Sequence, residues 1–357
     1  MIQASFSPGE VRAVALQEGL LIDYALSRPG RPDGMGDLYR GRVVARVPAL
    51  AGAFVALAGA EGFLPDSAGA AGLTEGQSVR VRIVRSAQGG KGPRLAKDGV
   101  CDAGPPVLLS RGPCAVERLT TRYPVANIQL DDPALLSHFH ATLFAGFDDN
   151  TEAALEALGS PQALLPGGMR AVFSPTPALV AIDLDMASAT AGRVAKATAQ
   201  MVANRLALPA LAREIRLRNL SGAIVIDLAG MKAGKRAALT PAFIAALATD
   251  PLRPRFLGFS ALGLAEILRP RTHPPLHEFT AGPHAAGLAA LRRLVRDMAA
   301  EPATALALRA PPDICAALEA DEVARADLAR RAGRPLVLRS DPALPLGQTV
   351  LERIARA

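Results

Sequence analysis

Apolar and polar positions alternate with a period of two through much of the first hundred residues, the mark of strands with one buried face. Val11–Leu16 and Leu20–Tyr24 read as two short strands joined by a turn at Glu18-Gly19. A Pro/Gly-rich linker, Pro29–Gly34, follows. Leu38–Val47, Ala53–Leu57, Glu61–Pro65 and Val79–Arg85 then give closely spaced short strands with glycine turns, predicting a small barrel of the OB type over residues 37–97. The alternation places Val79, Val81 and Ile83 inside that barrel and Arg80 and Arg82 outside.

Beyond residue 98 the pattern is sparser, with strands at Pro105–Leu109 and Ala126–Leu130 and a helix near Thr151–Leu158. It sharpens at Ala178–Leu184, an apolar run that reads as a buried strand. A helical segment from about Thr190 to Arg218 comes next, with a break or kink expected at Pro209. Ala223–Leu228 is a second buried strand, so the two should lie parallel in one sheet as a β-α-β unit. Pro241–Ala248 reads as helix, Arg255–Ser260 as strand, and Leu264–Leu268 as the start of a further helix. Residues 284–357 predict a small α/β domain in the order helix, strand, helix, helix, strand, helix. The fold class is thus α/β and β multidomain.

Each buried strand carries an aspartate in a matching context, Ile182-Asp183-Leu184 and Ile226-Asp227-Leu228. A carboxylate in an apolar β run is costly unless paired or bound to a metal. Ligands in open α/β sheets gather at the carboxyl ends of strands, where both lie. On adjacent strands about 4.8 Å apart, the two could share one Mg²⁺. Asp185 falls on the same side as Asp183 and could add a ligand or a hydrogen bond. Read alone, either aspartate could equally cap a helix or pair with an arginine.

Net charge is +7 with a pI near 9.8, and arginine dominates the cations, which suits phosphate. Arg213, Arg216 and Arg218 end the crossover helix and read either as a solvated cationic terminus or as phosphate contacts. In the barrel, Phe54, Phe63 and Lys91 could hold bases and phosphate, or the rings could be core. Three scattered cysteines with no Cys-x-x-Cys pair argue against a disulfide framework and a thiolate zinc site. With no signal-like start and no spanning apolar run, a cytoplasmic protein without membrane partners is expected.

These motifs, in this order, resemble the bacterial ribonuclease E/G endonucleases, with the ribonuclease G branch the nearer. The resemblance runs through Asp37–Arg46, Ala53–Val55, Gly62–Pro65 and Lys91-Gly92, then Ala181–Asp185, Leu211–Leu220, Ile224–Leu228 and Phe259–Glu266. It implies an RNase H-like fold (1–36 and 98–170) interrupted by the OB barrel, a DNase I-like catalytic subdomain (171–282) and a small C-terminal domain (283–357). It further implies that Asp183 and Asp227 bind Mg²⁺ (Mn²⁺ as a substitute), that Asp185 completes the catalytic set, and that Phe54, Phe63 and Lys91 hold single-stranded RNA. Cleavage would leave 5′-phosphate and 3′-hydroxyl ends.

This chain departs from the family pattern at several points. Asp185 stands where the family has Asn, Gly230 where it has a second Asp, and Leu206, Pro209 and Ala210 where it has acidic positions. The cysteines that link family protomers through zinc are missing after Glu278, so zinc is not expected and any homodimer would form without that link. The stretch between barrel and catalytic strand is short, which implies a reduced 5′-end sensor. The rival expectations are a non-catalytic RNA-binding protein on the same scaffold and, more distantly, a nuclease acting on DNA.

Overall fold

A computed structural model describes residues 1–186, 193–300, 305–333 and 335–354. The chain opens with a meander, β1 (Ile2–Ser7), β2 (Glu10–Gln17) and β3 (Leu20–Ser27), the first of which is not among the expected strands although apolar and polar residues alternate through it. The barrel follows as β4 (Leu38–Val47), β5 (Gly52–Leu57), β6 (Ala60–Pro65), β7 (Ser78–Arg85) and β8 (Arg94–Lys97), with β9 (Val107–Ser110) added outside β4. Its strands run β5-β6-β8-β7-β4 and close back on β5, consistent with an OB fold. Val55, Leu64, Val79, Val81, Ile83 and Leu95 fill the interior, and Arg80 and Arg82 face out toward Asp98 as the alternation requires.

After the barrel come α1 (Ala115–Arg122), β10 (Ile128–Leu130), α2 (Leu136–Phe139), β11 (Thr142–Leu143) and α3 (Asp149–Ala157). β10 pairs parallel with β1, so one sheet, β11-β10-β1-β2-β3, is assembled from both sides of the barrel. Asp148 caps α3 by accepting from the Thr151 backbone N–H.

The central sheet comprises β12 (Gln162–Leu165), β13 (Met169–Pro175), β14 (Val180–Met186), β15 (Gly222–Asp227), β16 (Arg255–Phe259) and β17 (Ala265–Arg269), in the order β12-β13-β14-β15-β17-β16. Helix α4 (Arg193–Leu217) crosses from β14 to β15, which pair in parallel as neighbours. α5 (Ala233–Arg236) and α6 (Thr240–Leu247) follow β15. One face of this sheet presents Ile182, Leu184, Ile224, Ile226 and Ile267 to α4 and α6, where Leu208, Leu211, Ile215 and Phe243 complete the largest core. The other face is open.

Three local expectations are corrected. α4 is one helix through Pro209, not two, with that residue on its exposed side where water can reach the carbonyl it displaces; the expected start at Thr190 lies outside the described residues. Ala265–Arg269 is a strand, since Ala265, Ile267 and Arg269 are buried and alternate with Glu266 and Leu268 between β15 and β16. The C-terminal unit holds α7 (Leu276–Phe279) at its entry, then α8 (Gly282–Ala300), β18 (Ala305–Ala310), α9 (Pro312–Glu319), α10 (Glu322–Ala332), β19 (Leu338–Ser340) and β20 (Val350–Ile354). Its last described element is a strand paired antiparallel with β18, where a helix is expected from the sequence.

The units are fastened by polar contacts. The linker residue Asp33 bonds His273 (2.6 Å), and the barrel hairpin donates from Ser86 N to Thr272 O (2.8 Å) and from Gly89 N to Glu278 (3.1 Å). The barrel therefore stands beside the central sheet in a fixed position. Among the described residues no helix is long and apolar enough to cross a membrane.

Candidate active site

Asp183 and Asp227 are register partners across the parallel pair β14–β15. Adjacent strands lie about 4.8 Å apart, and partner side chains leave the same face. That face is the open one: Asp183 is exposed, and the Asp227 side chain is 54% exposed. The premise of carboxylates buried within strands is thus corrected. Only alternate residues of β14 and β15 enter the core, and the aspartates occupy the other set.

Asp185 lies on the same face, opposite Arg170 of β13, and the two form an ion pair of 3.0 Å. Asp227 receives Nη1 of Arg236 at 2.8 Å. Asp183 has no such partner among the described residues. Partial burial, followed by repulsion from Asp185 and Asp227, raises its carboxyl above the ordinary range, with Arg170 opposing. The three carboxylates of β14 and β15 outnumber the two arginines that meet them, leaving a surplus of negative charge. Among the described residues no group of three or more His, Cys, Asp or Glu could hold a metal, so any cation here would rest on one or two carboxylates. That donor set suits Mg²⁺, which keeps several waters and takes few protein oxygens.

At the other end of the open face, Ala223, Leu268 and Arg255 form a cross-strand row of exposed residues. Ala223 is four residues from Asp227 on β15, or about 13 Å. This row floors a cleft of about 550 Å³ against the barrel, lined by Arg85, Arg94, Arg253, Arg255 and Arg271. Among the described residues, none of these five guanidiniums forms an ion pair. Arg85 is held below its ordinary range by burial and then by Arg94 and Arg271. Arg271 lies over Gly222, where a Cβ would strike its guanidinium.

Phe54 and Phe63 are partners on β5 and β6, outside the barrel core, with ring centroids 5.5 Å apart and edge to face. Phe63 is in register with Arg94, one of the cleft arginines, while its ring lies over Gly52 of β5. Lys91 is exposed in the hairpin closed by the Gln88–Lys91 bridge.

The α4 arginines fare differently, and their reading as RNA contacts is corrected for two of the three. Arg216 is buried, donating to the carbonyls of Ile22 and Thr249. Arg218 is buried as well, donating to Leu158, Ser160 and Glu214 and stacked on Phe173. Arg213 is half-buried. A helix terminus rich in arginine looks the same in sequence whether its guanidiniums face solvent or a neighbouring loop. The arginines of the cleft escape notice for a related reason, since they come from four separate stretches of chain.

Fold and site together define a multidomain α/β protein in which a closed five-strand barrel adjoins a sheet with paired aspartates on its open face. Residues 126–272 match the Ribonuclease E/G family. It is 33% identical over 127 residues to ribonuclease E of Nostoc sp., covering 35% of this chain and 18% of that protein. Against ribonuclease E of Escherichia coli it is 35% identical over 128 residues, 36% of this chain and 12% of the relative. Against ribonuclease G of Haemophilus influenzae it is 28% identical over 149 residues, 42% and 30% respectively. The matched stretches thus span less than a third of these relatives, and both branches of the family are represented.

Proposed function

We propose that this protein is an endoribonuclease that hydrolyses phosphodiester bonds in single-stranded RNA, acting in RNA processing or decay and leaving 5′-phosphate and 3′-hydroxyl ends. The observation that carries the proposal is the register of Asp183 with Asp227 on an open sheet face, within the stretch that matches the ribonuclease E/G family. In this reading the two carboxylates hold Mg²⁺, or Mn²⁺ in its place. When bound, the cation would supply Lewis-acid activation of water and stabilise charge on the phosphoryl oxygens. Asp185, held by Arg170, orients water or substrate beside them. The cleft arginines take the RNA backbone, while Phe54, Phe63 and Lys91 hold bases and phosphate. The sheet built around β1 corresponds to the RNase H-like part, and the central sheet to the DNase I-like part. The same proposal places the protein in the cytoplasm, with any homodimer formed without a zinc-thiolate link.

A second reading, RNA binding without cleavage, draws on the absence of a three-ligand metal cluster among the described residues. Incubation with an end-labelled single-stranded RNA and Mg²⁺ separates the two. Internal cleavage is expected, abolished by EDTA and by Asp183→Asn or Asp227→Asn while binding persists. Binding without cleavage across several RNAs would favour the second reading.

A further inference from the structure

We infer that Arg236 is a positioning residue for Asp227, fixing one carboxylate oxygen so that the other is presented to the cation; this rests on the function proposed above. Arg236 ends α5, nine residues beyond Asp227, and its side chain is only 11% exposed. Its guanidinium meets acceptors from two stretches of chain. Nε donates to Met231 O (2.9 Å) and Nη2 to Leu228 O (3.2 Å), both in the loop leaving β15. Nη1 donates to Gly263 O (2.8 Å), in the turn between β16 and β17, and to Asp227 Oδ1 (2.8 Å).

An exposed carboxylate ordinarily samples several rotamers. Here one oxygen of Asp227 is tied by a charge-assisted bond to a donor that is itself held in place, because three of its other N–H groups are engaged by main chain. Only the planar fork of arginine reaches acceptors in these directions at once; an ammonium on a flexible stem does not. Outer-shell partners that orient a ligating group typically change metal affinity or activity 10–100-fold when altered.

The loop does not depend on Arg236 alone. Asn204 of α4 donates to Ala229 O at 3.0 Å, and Gly230, with φ of +64°, leaves room for the Gln200 side chain against its backbone. Arg236→Lys should therefore fold.

Calorimetric titration of the whole chain with Mn²⁺, beside a thermal melt, tests the assignment in Arg236→Lys, Asp227→Asn and the double variant. The expected result is a loss of Mn²⁺ affinity of about tenfold or more in Arg236→Lys, a nearly unchanged melt, and no further loss when the change is added to Asp227→Asn. Unchanged or tighter Mn²⁺ binding by folded Arg236→Lys would overturn the inference, as would an equal loss in both backgrounds. Arg236→Gln serves if the lysine variant unfolds, and unfolding of both would assign Arg236 to the fold alone. A parent chain that binds no Mn²⁺, or binds it equally after Asp183→Asn, would instead reject the enzymatic reading and this inference with it.

Discussion

Arg216 and Arg218 at the end of α4, and Arg85, Arg94 and Arg271 in the cleft between barrel and sheet, are the same residue in opposite circumstances. The first two are enclosed and meet backbone carbonyls from several segments. The other three, with Arg253 and Arg255, face a shared space and have no ion-pair partner among the described residues. A buried guanidinium bonded to carbonyls of separate segments fastens those segments together. A group of them repelling one another across a cleft stabilises nothing in the fold, and its charge is offset only when an anion enters. Position relative to the main chain, and not charge, decides which kind an arginine is.

The largest expected effect belongs to the enclosed pair. Arg218→Ala leaves the carbonyls of Leu158 and Ser160 without their donor and Glu214 without its cation. Removing one partner from such a buried arrangement costs about 3–5 kcal/mol. Urea denaturation should show the loss, while RNA affinity of the folded fraction, measured at low urea, stays at the parent value. A stable Arg218→Ala that binds RNA weakly would erase the distinction between the two groups.

Phe63 asks whether the cleft receives bases as well as phosphate. Its ring stands outside the barrel core, in register with Arg94. Phe63→Ala should weaken binding of a single-stranded RNA by about 1–3 kcal/mol with the salt dependence unchanged. Reduced thermal stability at constant affinity would return the ring to a structural role.

Arg85→Ala and Arg271→Ala should act on charge alone. For each phosphate of single-stranded RNA that the variant no longer neutralises, the slope of log affinity against log salt falls by about 0.7. Fluorescence anisotropy over a range of salt concentrations would measure this. Because the cluster repels itself, neither change should lower the melting temperature. An unchanged slope would mean that RNA does not pass through the cleft.

How much of the fold and site is legible in the sequence follows from the distance over which each feature is built. The barrel strands and the β14–α4–β15 unit are local, written in a period of two and in apolar runs, and the matching contexts of Asp183 and Asp227 foretell their pairing. The strand at Ala265–Arg269 reads as helix because five residues with three apolar positions fit a helix turn as well as a strand until β15 and β16 flank them. β1 alternates apolar and polar residues over Ile2–Ser7 and pairs with the adjacent β2, so it is legible although absent from the expected strands. α1 is harder to see, since Ala115–Arg122 is buried against β2 and β3 far back in the chain. The cationic cleft and the Arg236 cradle are beyond reach for the same reason: each exists only where separate loops meet.

Asp183 is the negative counterpart of the unpaired arginines, and it gives the smallest and most pointed test. The folded protein holds its proton to a higher pH than the unfolded chain does, through partial burial and then the charges of Asp185 and Asp227. Below the unfolded value both states are protonated, and the residue has no effect on stability. As pH rises through the folded value the native state must accept an unfavourable charge, so Asp183 destabilises the fold at neutral and alkaline pH. In EDTA at pH 7–8, Asp183→Asn should raise the melting temperature by about 1–2 °C, and the gain should vanish as pH falls toward the carboxylate range. Divalent cation should reverse the order, stabilising the parent more than the variant, because the charge that burdens the empty fold is the one that would hold the cation. A parent chain that gains nothing from Mg²⁺ or Mn²⁺ would leave Asp183 as unbalanced as the cleft arginines, with no ligand to account for it.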